Sequence, residues 1–166
     1  GAALILGLSA CASTPPTETG AVADPYEGFN RQMFAFNNGV DRYALAPAAS
    51  AYETVTPAFA RDRVGDFLGN LKSPAIFVND VLQAEPNRAS DTFIRFTINT
   101  TIGLVGLWDA AEYFGIDGHS EDFGQTLAVW GVGSGPYLVM PLLGPTNPRD
   151  LFGSGVNRAF APLTWT

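Results

Sequence analysis

The residues able to do chemistry are few. The chain has one histidine, His119, in the loop Asp117-Gly-His-Ser-Glu121. A general base or a zinc site would have to be built around it, and no second His and no Cys lies nearby in the sequence. It reads better as a loop residue at a helix start. Asp109 with Glu112, and Glu121 with Asp122, could form an acid/base pair of carboxylates, but such residues more often cap helices or face solvent. Serine nucleophiles of hydrolases commonly sit in Gly-x-Ser-x-Gly. Ser134 is flanked there by Val132 and Pro136, and Ser154 by Phe152 and Val156, so neither fits. A phosphate-binding loop needs Gly-Lys after a glycine-rich turn, and the only lysine, Lys72, follows Leu71. No enzymatic activity, cofactor or metal is expected.

The strongest short motif is Leu8-Ser9-Ala10-Cys11, which follows a ten-residue apolar run and holds the only cysteine. It resembles the lipobox of bacterial lipoproteins, in which the Cys is acylated and becomes the new N-terminus. The competing reading, a free Cys in a core helix, fits poorly beside the Ser/Thr/Pro-rich stretch Ala12–Ala23, a flexible spacer in composition. Residues 1–10 are therefore expected to be the remnant of a signal-peptide apolar region, and residues 11–23 a lipid anchor and tether. The domain follows over 24–166 and is expected to be a fragment cut short at its C-terminal end. Ala12 after the Cys, not Asp, favours the outer membrane by resemblance to lipoprotein sorting.

Composition points the same way. Of 166 residues, 9 are basic and 16 acidic, a net charge of -7, which argues against nucleic acid, whose phosphates demand clustered Lys and Arg. Charged residues make up only 15%, against about 25% in ordinary soluble domains. With 46% hydrophobic residues and twelve Phe, the chain holds more apolar surface than one small core can hide, so lipid or a large partner is implied.

The elements that must carry these residues are mostly helices. An opening helix is predicted from Pro25 to about Tyr43, with a short one after Pro47. Thr56-Pro57 starts another, with Val64, Phe67, Leu68 and Leu71 on one stripe. Ser73-Pro74 and Glu85-Pro86 start two more, the second covering about Asn87 to Ile102. Ser120 is a plausible N-cap for a helix over Glu121–Trp130, and Asn147-Pro148 opens the last, toward Phe160. Thr92–Thr101 is rich in β-branched residues and partly alternates, which keeps a strand open there. Residues 131–144, with four glycines and prolines at 136 and 141, read as an irregular, closely packed connection. Gly65-x-x-x-Gly69 would allow close helix contact in lipid. Trp108, Tyr113, Trp130 and Trp165 suit a membrane interface, with core packing the equal alternative.

Several separated motifs together carry a resemblance. They are Asp24-Pro-Tyr-Glu-Gly-Phe-Asn-Arg31, Phe34-Ala-Phe-Asn37, Gly69-Asn-Leu-Lys-Ser-Pro74 with Val78-Asn-Asp80, Asn99-Thr-Thr-Ile-Gly103, and Asp122-Phe-Gly-Gln-Thr126 with Gly131-Val-Gly-Ser-Gly-Pro-Tyr137. In order and spacing they resemble the MlaA (VacJ) lipoprotein family from Asp24 to Asp150. The resemblance implies a mainly α fold: a ring-like bundle of short amphipathic helices embedded in the membrane leaflet, with irregular Gly/Pro-rich connections. It implies an outer-membrane lipoprotein on the periplasmic face, associated with a trimeric porin, that removes mislocalised phospholipid from the outer leaflet through an amphipathic channel. The lipid then passes to a periplasmic carrier. Residues matching family motifs, and hence expected along the lipid path, are Phe34, Phe36, Asn37, Asn70, Asn79 and Asn99, with capping and backbone hydrogen bonding the competing role for the asparagines. Two other functions stay in view: a structural lipoprotein that scaffolds porins without moving lipid, and a phospholipid hydrolase.

Overall fold

The computed structural model describes residues 24–160. The lipobox, Cys11, the tether and Trp165 lie outside the described residues. The fold is mainly helical, with six α-helices and a two-stranded ribbon among the described residues.

Helix α1 spans Glu27–Val40. Asp24 covers its start: one carboxylate oxygen accepts from the Tyr26 N–H at 2.9 Å and the other from the Asn30 amide at 2.8 Å. The sequence predicts a stop near Tyr43 and a separate helix after Pro47. Instead a wide turn over Asp41–Leu45 carries the chain without a break into α2, Ala46–Val55. Pro47 lacks the N–H that an α-helix would give to Tyr43; the wide turn lets Ala46 bond Asp41 and passes the gap. Helix α2 ends at Thr56, which Pro57 holds extended.

Helix α3 is one element, Ala58–Leu82, with Pro74 inside it. Two helices were expected here. Pro74 removes only the bond to the Asn70 carbonyl, and contacts with α4 (Pro86–Thr101) on both sides of that gap keep the helix running. The Asn70 amide donates to the Thr100 hydroxyl at 3.1 Å before it, and Phe77 meets Phe93 at 6.1 Å after it. The strand reading of Thr92–Thr101 fails, because the buried positions Ala89, Thr92 and Asn99 follow a helical period. The hydroxyls of Thr97 and Thr101 bond the carbonyls four residues back, which settles them within a helix.

Helix α5 is Phe123–Val129. Its cap is Asp122, whose carboxylate accepts the Gln125 N–H at 2.8 Å, and not Ser120 as predicted. The 131–147 connection holds a ribbon the sequence did not show: β1 (Leu138–Met140) pairs antiparallel with β2 (Gly144–Thr146). Pro136 and Pro141 flank β1, and Pro145 stands opposite Val139, whose N–H turns instead to the Asn30 side chain. The missing proline donor is therefore not needed.

Helix α6, Pro148–Phe160, begins as predicted. Asn147 and Asp150 cap it reciprocally: the Asp150 N–H donates to the Asn147 side-chain oxygen at 3.0 Å, and the Asn147 amide to the Asp150 carboxylate at 2.6 Å. The side-chain bond from Arg149 is the largest influence on the Asp150 carboxyl; burial, the second, opposes it, but with the Asn147 bond and the Arg149 charge the carboxyl is held below the usual range. A depressed carboxyl contributes stability above its unfolded value, near 3.9, and loses it as pH falls through the folded value. Protection of the amides at the start of α6, taken relative to their intrinsic exchange rate at each pH, should therefore fall below about pH 4, and Asn147→Ala should cost about 1 kcal/mol in thermal unfolding. Unchanged protection across that pH range would disprove the first expectation.

Candidate functional site

The interior is polar and the outside apolar. Among the described residues the buried apolar side chains are Ala89, Ala110, Ala111 and Val139, while the largest fully buried side chains are Asn79, Thr126 and Asp80. Phe34, Phe36, Tyr43, Phe93, Trp130 and Phe152 are all exposed. Tyr113 is 84% exposed, while Trp108 and Trp130 are only partly so: Trp108 packs against Phe59 and under Arg63, and Trp130 against Phe123.

Two asparagines clamp the ribbon to α1. Asn30 accepts from the Val139 N–H at 2.8 Å and donates to the Tyr137 carbonyl at 3.1 Å. Asn37 repeats this two turns later, with the Leu142 N–H at 2.8 Å and the Met140 carbonyl at 3.0 Å. Sequence reasoning picked Asn37 and missed Asn30, although the seven-residue spacing puts both on one helix face. Phe34 and Asn37 also line a mostly apolar groove of about 250 Å³ with Val139, Leu142 and Leu143.

A second network joins α3 to α5 and α6. The Asn79 oxygen accepts the Thr126 hydroxyl at 2.8 Å, and its amide donates to the Asn157 oxygen at 3.2 Å. Gln83 donates to Glu121 at 3.0 Å and to Thr126 at 3.1 Å. Glu121 is buried and paired with Arg88, not solvated as its sequence context implied. The close helix contact falls at α5 and α6. A Cβ on Gly153 would stand 2.3 Å from the Gly124 backbone nitrogen, whereas a Cβ at Gly65 or Gly69 would meet nothing within 4 Å. The Gly65/Gly69 pair thus opens space and makes no helix contact.

The third cluster lies between α3, α4 and the 109–120 segment. Asn99 donates to Asp109 at 3.0 Å and accepts the Ala111 N–H at 2.9 Å. Arg95 bonds Asp109 and the Ile116 carbonyl. Leu104, Val105 and Gly106 all have positive φ, a costly turn for the first two, and it presses Gly106 onto Asn70, where a Cβ would lie 2.5 Å from the Asn70 side chain. His119, read as a plain loop residue, bonds the buried Asp80 carboxylate through Nε2 at 2.9 Å, and the Thr92 hydroxyl donates to the same carboxylate at 2.7 Å. In a nucleophile relay the hydroxyl and the acid occupy opposite ring nitrogens. Here both lie on the Nε2 side, with Thr92 at 3.5 Å, so the trio pins α3 to α4 and forms no relay.

Asn70 and Asn99 share a polar cavity of about 310 Å³, while Phe34 and Asn37 share the groove by the ribbon. Phe36 is on the outer surface, and Asn79 is buried in the α3–α5–α6 network. The six residues thus fall into separate places and do not line one continuous site.

Fold and site together define a class: a helical domain with a hydrogen-bonded polar interior, an apolar exterior and, among the described residues, no helix long and apolar enough to cross a membrane. The family model described as "MlaA lipoprotein" matches residues 22–166, and the chain belongs to that family. It is 38% identical over 170 residues to the "intermembrane phospholipid transport system lipoprotein MlaA" of Escherichia coli K12, covering 98% of this chain and 67% of that protein. The Haemophilus influenzae protein of the same name is 36% identical, covering 96% of this chain and 66% of its own length. An uncharacterized protein of Rickettsia typhi is 43% identical over 145 residues, covering 87% of this chain; the chain spans 58% of that relative's length. A solved structure from work on the "structural basis for maintenance of bacterial outer membrane lipid asymmetry" superposes with a TM-score of 0.78 at 38% identity, covering 86% of this chain and 74% of that one.

Proposed function

We propose that this chain belongs to an outer-membrane lipoprotein that removes mislocalised phospholipid from the outer leaflet and passes it to a periplasmic carrier, without breaking a bond. The observation that carries this reading is the inverted architecture. An apolar exterior suits acyl chains, a polar interior suits a headgroup, and helices too short or too charged to cross a bilayer suit a body seated in one leaflet. The names of the relatives support the same substrate. Cys11 would hold the protein to the periplasmic face of the outer membrane, since acyl chains supply the affinity that one amphipathic surface lacks. The exposed faces of α1 and α2, with Phe34, Phe36, Tyr43 and Leu45, would meet acyl chains or a trimeric porin. Asn70 and Asn99, at the polar cavity, lie on the proposed headgroup side, and Phe34 and Asn37, at the groove, on the tail side. Asn79 would hold the frame around that path.

The test is made in cells of the source organism lacking the full-length gene. A membrane-impermeant amine reagent reports surface phosphatidylethanolamine. Labelling should rise in the deletion, fall again with the wild-type gene, and stay high with Cys11→Ala. Unchanged labelling in the deletion would overturn transport and leave a porin scaffold as the better reading.

A further inference from the structure

Two shallow cavities, each of about 250 Å³, adjoin at Phe34 and Val139. The first borders Asp24, Asn30 and Tyr137, where the described chain begins. The second is the apolar groove beside the ribbon, and it runs on to Asp41 and Leu45. From Phe34 to Leu45 it follows eleven residues of helix, about 16 Å of rise. That is the depth of hydrocarbon in one leaflet, half of a core about 30 Å thick. Its walls are open: Phe34, Leu45, Leu142 and Leu143 are all more than half exposed. Leu142 stands at a φ of +64°, held there by the bond from its N–H to Asn37. That conformation is costly for leucine and free for glycine. Glycine would serve the turn better, so the strain keeps an apolar side chain on the groove.

We infer that one acyl chain of the lipidated Cys11 lies in this groove. The inference rests on the lipoprotein reading of Cys11 and adds where part of its lipid goes. Twelve residues separate Cys11 from Asp24. A flexible spacer of that length covers roughly 20 Å and reaches about 40 Å when extended. Asp24 borders the near end of the path, so an acyl chain on Cys11 reaches the groove with no rearrangement of the helices. Charge at the rim selects an uncharged lipid. At the far end Asp41 has no ion-pair partner among the described residues. At the near end Glu27 already holds Arg31, and the second acid there is Asp24. A phospholipid lodged here would bring its phosphate against these carboxylates, a repulsion that a poorly hydrated site strengthens. The thioether-linked and amide-linked chains of an acylated cysteine carry no charge. A triacylated cysteine keeps two chains for the bilayer, and two suffice for stable anchoring. Transported lipid tails then pass along a groove that the anchor has already filled.

The test uses the full-length gene in the deletion strain, with the photoreactive residue p-benzoylphenylalanine in place of Leu143 or, for comparison, of Tyr113, which lines a different cavity. Membranes are irradiated, and the digested protein is read by mass spectrometry. Position 143 should give an adduct between its own peptide and the acylated Cys11 peptide, and position 113 should give phospholipid adducts only. Leu45→Asp sets a charge in the groove at an exposed position, and charge beside acyl chains is costly. It should lower the Cys11 adduct several-fold while Cys11 stays acylated. Phospholipid adducts alone at position 143, equal Cys11 adducts at both positions, or an adduct indifferent to Leu45→Asp would each overturn the docking. The Cys11 peptide in the same digest separates this from the reading beneath it. An unmodified thiol there sinks the anchor and the docking together, whereas an acylated Cys11 with no adduct at position 143 sinks the docking alone.

Discussion

One methyl group at position 153 is expected to force α5 away from α6. In Gly153→Ala the new carbon would lie 2.3 Å from the Gly124 nitrogen and 2.6 Å from its Cα. Both are backbone atoms, so no flexible side chain can move aside, and a helix must shift. Overpacking of this kind costs about 3 kcal/mol, at the upper end of its usual range. Phe123 bonds Asn157 across the same junction, and Asn79 on α3 ties the two helices together through Thr126 and Asn157, so these bonds would lose their geometry with it. Gly155→Ala is the control. It lies on the same helix with open space around it, and a gain of about 0.5 to 1 kcal/mol is expected from helix propensity alone. Thermal unfolding in detergent compares the two, and equal midpoints would show that the glycine contact does not hold the helices.

The second large effect is at Asn79. Asn79→Leu keeps the branching and the heavy-atom count of the side chain but strips Thr126 and Asn157 of a shared partner in a buried place. Leaving buried groups unpaired costs about 1–3 kcal/mol, and a loss near 3 kcal/mol is expected here. The diagnostic measurement is a double-mutant cycle with Thr126→Val. Removing both partners of one hydrogen bond should cost less than the sum of the single losses. Strict additivity would mean that the 2.8 Å bond seen between them contributes nothing of its own.

The helices were largely legible from the chain because their starts are marked by proline at 57, 86 and 148 and by apolar stripes. What was misread follows from physics that a local pattern does not carry. Pro74 looks like a helix start, yet contacts of α3 with α4 before and after it override the single lost bond. The wide turn at Asp41–Leu45 leaves no pattern, since it only changes hydrogen-bond register. The ribbon was invisible because its outer edge is satisfied by Asn30 and Asn37 from a helix about a hundred residues earlier. In the candidate site, the asparagines were picked through the family resemblance. The bonds that Asn37, Asn79 and Asn99 make to backbone and to other side chains are the structural role held open beside the lipid-path role. Lys72, Asp66 and His119 escaped because lone charges in a sequence give no sign of sharing one cavity with Asn70 and Asn99. His119 in particular sits 39 residues from Asp80, the group that holds it.

The amide-lined interior also has a consequence for how this fold responds to temperature. Heat capacity rises on unfolding when apolar surface is newly wetted and falls when polar surface is. In this domain the fully buried side chains are mostly Asn, Thr, Asp and Glu, with Val139 and three alanines, while many of the Phe, Tyr and Trp are already exposed. The two contributions therefore oppose each other more nearly than in an oil-cored protein, and the stability curve flattens. Such a domain gains little on moderate cooling and does not depend on the entropy of water for its cohesion. A machine built this way can keep its shape where water is scarce, because what holds it together is an internal lattice of hydrogen bonds that lipid does not dissolve.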